Sequence, residues 1–113
     1  MDHSTILEKQ GRFLFPNTIN YYRRPLAVAS AHGAWVTDVE GTRYLDFFGG
    51  ILTVSLGHCD ETVTGRIIEQ LRRVQHTSTL YPNEWIVTLA EAIAEVTPEG
   101  LSRSFFTSSG TEA

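Results

Sequence analysis

Apolar residues recur at helical spacing in two stretches of the second half of the chain. They fall three or four positions apart, at Val63, Ile67, Ile68, Leu71 and Val74, and then at Ile86, Leu89, Ala90, Ile93, Ala94 and Val96. This spacing places each set on one face of a helix. Asp60 precedes the first set as an N-cap, and Pro98 and Gly100 end the second. The pattern therefore predicts two amphipathic helices, at about 60–74 and 84–96.

The first half of the chain changes to short runs of β-forming residues. Three runs, at 26–29, 34–37 and 43–47, are separated by a His-Gly pair and by an acidic, glycine-containing turn at 38–41. Turns of this composition join antiparallel neighbours. The pattern predicts a small antiparallel meander. Four aromatic side chains, Trp35, Tyr44, Phe47 and Phe48, could form a ligand platform, but in a meander of this size we expect them to form its core.

A short helix and one further strand complete the predicted elements. Residues 4–14 mix apolar and charged side chains ahead of Pro16, which predicts a short helix. Residues 103–107 form a β-like run that has no partner strand in the sequence. The order of meander, helix, helix and strand is typical of the entry to an α/β domain.

The last residues have the pattern of a helix start. Ser109 and Glu112 stand in the S-x-x-E relation of a capping box. Because the first N–H groups of a helix are unpaired and carry the positive end of its dipole, such a start can bind an anion, and phosphate is the usual occupant. A cap requires a helix after it, so we expect residues 1–113 to be the N-terminal part of a longer protein, cut at its cofactor site.

Composition excludes several classes of function. A chain of 113 residues with 42% hydrophobic residues and a net charge of -4 has no cluster of Lys and Arg larger than the pairs at 23–24 and 72–73, so we expect no nucleic-acid partner. No apolar stretch reaches the roughly 20 residues that span a bilayer, so we expect no membrane association. The single cysteine cannot form an internal disulfide, and the first residues lack the features of a secretion signal, so we predict a cytoplasmic protein.

Isolated reactive side chains have simpler interpretations. The four histidines lack the short spacing of metal ligands, so no metal site is predicted. We expect His58 to be a hydrogen-bonded structural residue near a turn, and Cys59 to be a buried residue without a catalytic partner. Asp38 and Asp46 are expected at strand ends and turns rather than as paired acid–base groups.

Three stretches, taken in order, resemble the class III aminotransferases, which are pyridoxal-phosphate enzymes of fold type I. They are 35–47, with its Tyr-Leu-Asp-Phe ending, Gly-Gly-Ile at 49–51 with Gly-His at 57–58, and the Ser-Gly-Thr-Glu-Ala segment within 106–113. In texture the chain is most similar to the branch that contains mitochondrial-type alanine–glyoxylate aminotransferase and the ω-amino-acid transaminases. The resemblance covers about residues 20–113.

The resemblance implies an α/β fold, a cofactor and a set of binding residues. Residues 1–56 would form the N-terminal segment and meander of the small domain, and 57–113 the start of the large domain that binds pyridoxal 5'-phosphate. Ser109, Gly110 and Thr111 would hold the phosphate of the cofactor, while Ile51 and Tyr22 (or its neighbour Tyr21) would border the substrate pocket. The linker at 76–81 is similar to a segment near the dimer interface, which implies a homodimer at full length.

The resemblance also implies that the catalytic groups lie outside this chain. The family needs a lysine that forms a Schiff base with the cofactor and an aspartate that holds the pyridine nitrogen protonated, and both lie downstream. The only lysine is Lys9, and nothing around it resembles the lysine motif of the family. We therefore predict no catalytic residue in this chain and expect it to be inactive alone.

The function of the whole protein has one expected assignment and two alternatives. The whole enzyme is expected to move an amino group from an amino acid to a 2-oxo acid such as pyruvate or glyoxylate. Relatives of the same fold use the cofactor as lyases, mutases, racemases or decarboxylases, and the residues that separate these reactions are not in this chain. A small non-catalytic binding or dimerisation module is the alternative from another class.

Overall fold

The computed structural model describes residues 1–17 and 20–113. Its elements, in chain order, are α1 (His3–Phe13), β1 (Val28–His32), β2 (Trp35–Asp38), β3 (Arg43–Leu45), α2 (Gly49–Leu52), α3 (Glu61–Arg73) and α4 (Glu84–Val96). The chain forms two compact units, Met1–Glu69 and Gln70–Ala113, and the boundary between them falls inside α3. Among the described helices, none is long and apolar enough to cross a membrane.

The three strands form one antiparallel sheet in the order β1-β2-β3. The turn between β1 and β2 is short, since His32 pairs with Trp35 across the two residues between them. Gly33 stands in this turn at a φ of 55°, a left-handed conformation that suits glycine in a tight hairpin. The predicted meander is therefore confirmed.

The prediction that four aromatic side chains form the core of the meander is wrong. The buried apolar residues of the described chain are Ala27 and Val36. The four aromatic side chains are 40% to 90% exposed: Trp35, Tyr44, Phe47 and Phe48. A sheet of three short strands cannot enclose large rings without a second layer packed on it, and the described part of this unit places no such layer there.

Helices α3 and α4 begin where the sequence predicted. The N–H of Val63 donates to Oδ1 of Asp60 at 3.0 Å, and the N–H of Trp85 donates to Oδ1 of Asn83 at 2.9 Å. Each N-cap thus satisfies one of the amides that a first helical turn leaves unpaired. The apolar face of α3 stays 40% to 54% exposed, at Val63, Ile67, Ile68, Leu71 and Val74.

The predicted strand at 103–107 is not formed. Residues 101–107 adopt neither helix nor strand, and the side chain of Phe105 is 92% exposed. A strand is defined by the ladder of hydrogen bonds to a neighbour. No strand of the described residues pairs with this run, so its β-forming residues do not form a strand.

Helix α1 is linked to the segment before β1. Asp2 caps the helix by accepting from the N–H of Thr5 at 2.8 Å. Hydrogen bonds from Thr5 and from the Ser4 hydroxyl lower the pKa of Asp2 to about 2. A ring nitrogen of His3 lies 2.7 Å from the carbonyl oxygen of Pro25. The predicted short helix is thus present and is joined to the chain that leads into the sheet.

Candidate functional site

Element α2 is a left-handed helical turn. Its four residues have φ values of 55°, 58°, 62° and 62°, and Gly50 and Ile51 have ψ values of 42° and 50°. These angles are those of the left-handed region, which two glycines adopt freely. For Ile51 and Leu52 the same conformation costs roughly 1–2 kcal/mol per residue, because Cβ approaches the following carbonyl oxygen. The turn therefore needs support from outside itself.

Asp46 supplies that support at the start of the turn. Its Oδ1 accepts from the N–H of Phe48 at 2.8 Å and from the N–H of Gly49 at 3.0 Å. Its Oδ2 lies 2.6 Å from Nε2 of His58. A carboxylate only accepts hydrogen bonds, so Nε2 is the donor. The side chains of Asp46 and His58 are 14% and 22% exposed, which places this pair largely out of water.

The pair has a clear electrostatic consequence. The hydrogen bond from His58, followed by those from the N–H groups of Gly49 and Phe48, lowers the pKa of Asp46 to about 2. Asp46 is therefore ionised at neutral pH, and all three hydrogen bonds are made to a charged acceptor, which strengthens them.

The main chain fixes His58 in turn. Its N–H donates to the carbonyl oxygen of Gly33, and the N–H of Gly33 donates back, both at 2.8 Å. A Cβ on Gly57 would lie 3.0 Å from Cα of Gly33, at a φ of 95° that already favours glycine. The close approach of the two segments thus requires a residue without a side chain at position 57.

Asp38 has the corresponding role at the other end of the sheet. It is 5% exposed, and it accepts from the N–H groups of Glu40 and Thr42 and from the hydroxyl of Tyr44. Burial raises the pKa of Asp38, but the hydrogen bonds outweigh it and hold the pKa below its usual value. The same contact raises the pKa of Tyr44. The expected turn roles of Asp38 and Asp46 are confirmed.

A groove of about 800 Å³ lies in the first unit beside the sheet. Its wall includes the Asp46–His58 pair and several exposed aromatic side chains: Tyr21, Tyr22, Tyr44, Phe47 and Phe48. Tyr22, a predicted substrate residue, thus lies on this groove. Ile51, the other one, is 74% exposed and is not part of its wall. The two predicted substrate residues therefore do not share this groove.

The predicted anion loop forms a single helical turn. The N–H of Ala113 donates to the carbonyl oxygen of Ser109 at 3.2 Å, and the N–H of Glu112 donates to the Ser109 hydroxyl oxygen at 3.3 Å. The Glu112 carboxylate accepts from the Ser109 hydroxyl at 3.0 Å and from the N–H of Ser108 at 2.9 Å. This is a capping box whose carboxylate reaches one residue further back than usual.

The capping box leaves three backbone donors exposed. Within residues 1–17 and 20–113, no group accepts from the N–H groups of Ser109, Gly110 and Thr111. A Cβ on Gly110 would meet nothing within 4 Å. Consecutive amides at the start of a helical turn are suitable donors for a phosphate group, so the residues present fit the group that the sequence predicted for them.

Two features of the site differ from the expectations or were missed by them. Cys59 was expected to be buried, but it is exposed and has a φ of 53°, next to the residue that pairs with Gly33. The contact between Asp46 and His58 was not predicted. Asp46 and His58 each belong to a motif that the sequence analysis identified. Their spacing in the sequence, however, does not show that the two side chains meet.

In the second unit, the linker after α3 borders a groove of about 610 Å³. His76, Tyr81 and Trp85 are among the residues that line it. The linker contains Ser78 at a φ of 58°, and the Ser78 hydroxyl oxygen accepts from the N–H of Leu80 at 3.4 Å.

The chain is similar to known proteins in sequence and in structure. The profile of the aminotransferase class-III family matches residues 18–113. The mitochondrial alanine–glyoxylate aminotransferase 2 homolog 2 of Arabidopsis thaliana is 43% identical over 108 residues, which are 96% of this chain and 23% of that protein.

Two solved structures share the architecture of this chain. A phospholyase from Arthrobacter, in complex with phosphoethanolamine, is 34% identical with a TM-score of 0.85, over 96% of this chain and 25% of that one. An omega-transaminase from Sphaerobacter thermophilus is 30% identical with a TM-score of 0.86, over 98% of this chain and 26% of that one. The chain thus spans about a quarter of the length of these relatives.

Proposed function

Because this chain belongs to the class-III aminotransferases, we propose that the protein moves an amino group from an amino acid to a 2-oxo acid such as pyruvate or glyoxylate. The predicted family and the predicted fold type I architecture with a small antiparallel meander are confirmed. The reaction itself is the proposal, since the chain spans only part of its relatives. The omega-transaminase structure at 30% identity supports it.

The proposed cofactor is pyridoxal 5'-phosphate, on which this family depends. Ser109, Gly110 and Thr111 would hold its phosphate through their exposed N–H groups and the Thr111 hydroxyl. The cofactor supplies an electron-accepting ring next to the carbon that loses and regains the amino group. The observation that carries the proposal is that the consecutive N–H groups of Ser109, Gly110 and Thr111, at the start of a helical turn, have no acceptor among the described residues, in a chain whose residues 18–113 match the family.

Ile51 and Tyr22 are the proposed substrate residues. Tyr22 lies on the aromatic groove of the first unit, and Ile51 is an exposed apolar side chain on the left-handed turn. An apolar wall with a few polar groups is typical of a site for a small amino acid. We propose that these two side chains border the amino donor.

No residue of this chain is proposed as the group that moves a proton. Lys9, the only lysine of the sequence, is exposed on α1. We therefore propose that residues 1–113 supply binding groups and do not transaminate alone. Changing Lys9→Met in the full-length protein should leave bound cofactor and activity unchanged.

The phosphate proposal is tested by removing one backbone donor. In the full-length protein, Gly110→Pro deletes the N–H at the first helical position, where proline is well tolerated, whereas Gly110→Ala keeps it. We expect the proline variant to weaken cofactor retention roughly 10- to 100-fold, since each hydrogen bond to a charged group contributes about 1.5–3 kcal/mol. Retention is measured by dialysis and absorbance of bound cofactor. Equal retention by the proline variant and the unsubstituted protein would contradict the proposal.

A lyase reaction is the second candidate. The observation that favours it is the likeness, at 34% identity, to a phospholyase solved with phosphoethanolamine. The two reactions give different products when the protein is supplied with phosphoethanolamine and a 2-oxo acid. Release of inorganic phosphate and an aldehyde would indicate the lyase, whereas conversion of a 2-oxo acid into an amino acid would indicate the transaminase.

We also propose a homodimer, a cytoplasmic location and a domain boundary near residue 57. The linker at 76–81 would lie near the interface between subunits, and light scattering of the full-length protein tests the dimer.

Cytoplasmic location fits an exposed thiol at Cys59. The Arabidopsis relative carries a mitochondrial name, so cell fractionation is the test of location, and limited proteolysis tests the boundary.

A further inference from the structure

The left-handed turn α2 combines a strained backbone with exposed apolar side chains. Ile51 and Leu52 are 74% and 82% exposed, and both have a φ of 62°. Packing of these two side chains within the described structure therefore does not offset the strain. Strained residues persist where the surroundings hold them in place, and they cluster at functional sites. The turn is therefore a candidate for a part that acts on a ligand.

What holds the turn can be followed contact by contact to the sheet. One carboxylate oxygen of Asp46 accepts hydrogen bonds from the two N–H groups at the start of the turn, and Nε2 of His58 donates to the other oxygen at 2.6 Å. His58 is fixed by its two backbone hydrogen bonds to Gly33, in the turn between β1 and β2. The N–H of Asp46 donates to the carbonyl oxygen of Ala34 at 2.8 Å. The position of Ile51 thus depends on the sheet through Asp46 and His58.

We propose that Asp46 and His58 are positioning residues for substrate recognition: they hold α2 so that the side chain of Ile51 meets the amino donor. This inference rests on the proposed function, in which Ile51 borders that donor. Both residues also line the groove on which Tyr22 lies, and we assign their effect to the turn rather than to direct contact with the donor. A fixed apolar side chain in a pocket wall discriminates between donors of different size, and it does so only while its position is held.

The first test removes the hydrogen bond from His58 in the full-length holoenzyme. His58→Leu deletes the donor, whereas His58→Gln keeps an N–H at similar reach. We expect the leucine variant to raise KM for the amino donor about tenfold and to leave kcat within about threefold, since the lost interaction is one of positioning. The glutamine variant should return KM toward its original value. His58→Asn, whose amide is too short to reach Asp46, carries the same expectation if the leucine variant does not fold.

The second test asks whether His58 acts through Ile51. In a double-mutant cycle with His58→Leu and Ile51→Ala, residues that act as one unit give overlapping effects. We expect KM of the double variant to be no higher than that of the more affected single variant, within about twofold. Fold-changes that multiply would overturn the proposal, because they would indicate that His58 acts on the substrate independently of the turn.

Hydrogen exchange gives a measurement that does not depend on activity. Exchange at the amides of Gly49 and Thr53 should become about tenfold faster in His58→Leu, because local opening of α2 becomes easier. The matched control is Asp2→Ala, which removes the carboxylate that caps α1 in the same unit and should leave both α2 exchange and KM unchanged. Unchanged exchange in His58→Leu would overturn the inference. Absence of transamination in the unsubstituted protein would instead overturn the proposed function. The exchange rates would still measure how firmly His58 holds α2.

Discussion

Both carboxylate oxygens of Asp46 accept hydrogen bonds, which makes the fold sensitive to acid. The pKa of Asp46 is lowered to about 2 by His58 and by the two amides of α2, while an aspartate in an unfolded chain has a pKa of about 3.9. A lowered pKa in the folded state means that stability is fully present above the unfolded value and is lost as pH falls toward the folded one.

We therefore predict a loss of stability of the full-length protein between about pH 4 and pH 2, and a shallower loss in the variant Asp46→Asn. Asp2 and Asp38 also have lowered pKa values, so the variant removes only part of the slope. The thermal midpoint measured by circular dichroism at steps of pH checks this. An identical slope for both proteins over that range would contradict it.

At the scale of residues, the sequence predicted chemical roles better than contacts. The cap formed by Ser109 and Glu112 could be predicted because both partners lie within one turn of helix. The pair of Asp46 and His58 could not, because it forms only when two segments that are distant in sequence are brought together by the sheet. The exposure of Cys59 could not be predicted either, since a lone cysteine in the sequence does not show what packs against it.

At the scale of elements, helix α4 shows how much an N-cap contributes to stability. It begins at Glu84, after Asn83, whose side chain accepts from the N–H of Trp85. The substitution Asn83→Ala should destabilise the protein by about 1 kcal/mol, whereas Asn83→Ser keeps a capping oxygen and should cost only a few tenths. Denaturant unfolding of the full-length protein, followed by tryptophan fluorescence, measures both. Equal stability of the alanine and serine variants would contradict the role of the cap.

Helices were predicted more accurately than strands for a physical reason. The bounds of α4 agree with the prediction because a helix satisfies its backbone within one segment, and its caps lie at its ends. The run at 103–107 has the composition of a strand, but a strand needs a neighbour to pair with, and the described chain offers none. Left-handed α2 was not predicted at all, because the two glycines before Ile51 permit this conformation without requiring it.

At the scale of the whole molecule, the apolar faces of the helices are the dominant feature. Side chains such as Leu71 on α3 and Leu89 on α4 are both 51% exposed. Large apolar surface in contact with water is unfavourable and marks a site of association. The position of these residues on helical faces was predicted from their spacing, but their exposure could not be, because spacing does not show what covers a face.

This exposure leads to a prediction for residues 1–113 expressed alone. We expect strong binding of the dye ANS and broad, non-cooperative thermal unfolding, in contrast to the full-length protein. Fluorescence of the dye and calorimetry of both proteins check this. A cooperative transition without dye binding would instead favour the alternative of a small non-catalytic module, even within this family.

The backbone bridge between Gly33 and His58 also implies an order of folding events. The hairpin of β1 and β2 joins residues that are close in sequence, so we expect it to close before the bridge, whose partners are farther apart in sequence. We expect the contact of His58 with Asp46, and with it the strained turn, to form with the bridge. The left-handed turn should therefore be among the last features to form and the first to open when the protein is stressed.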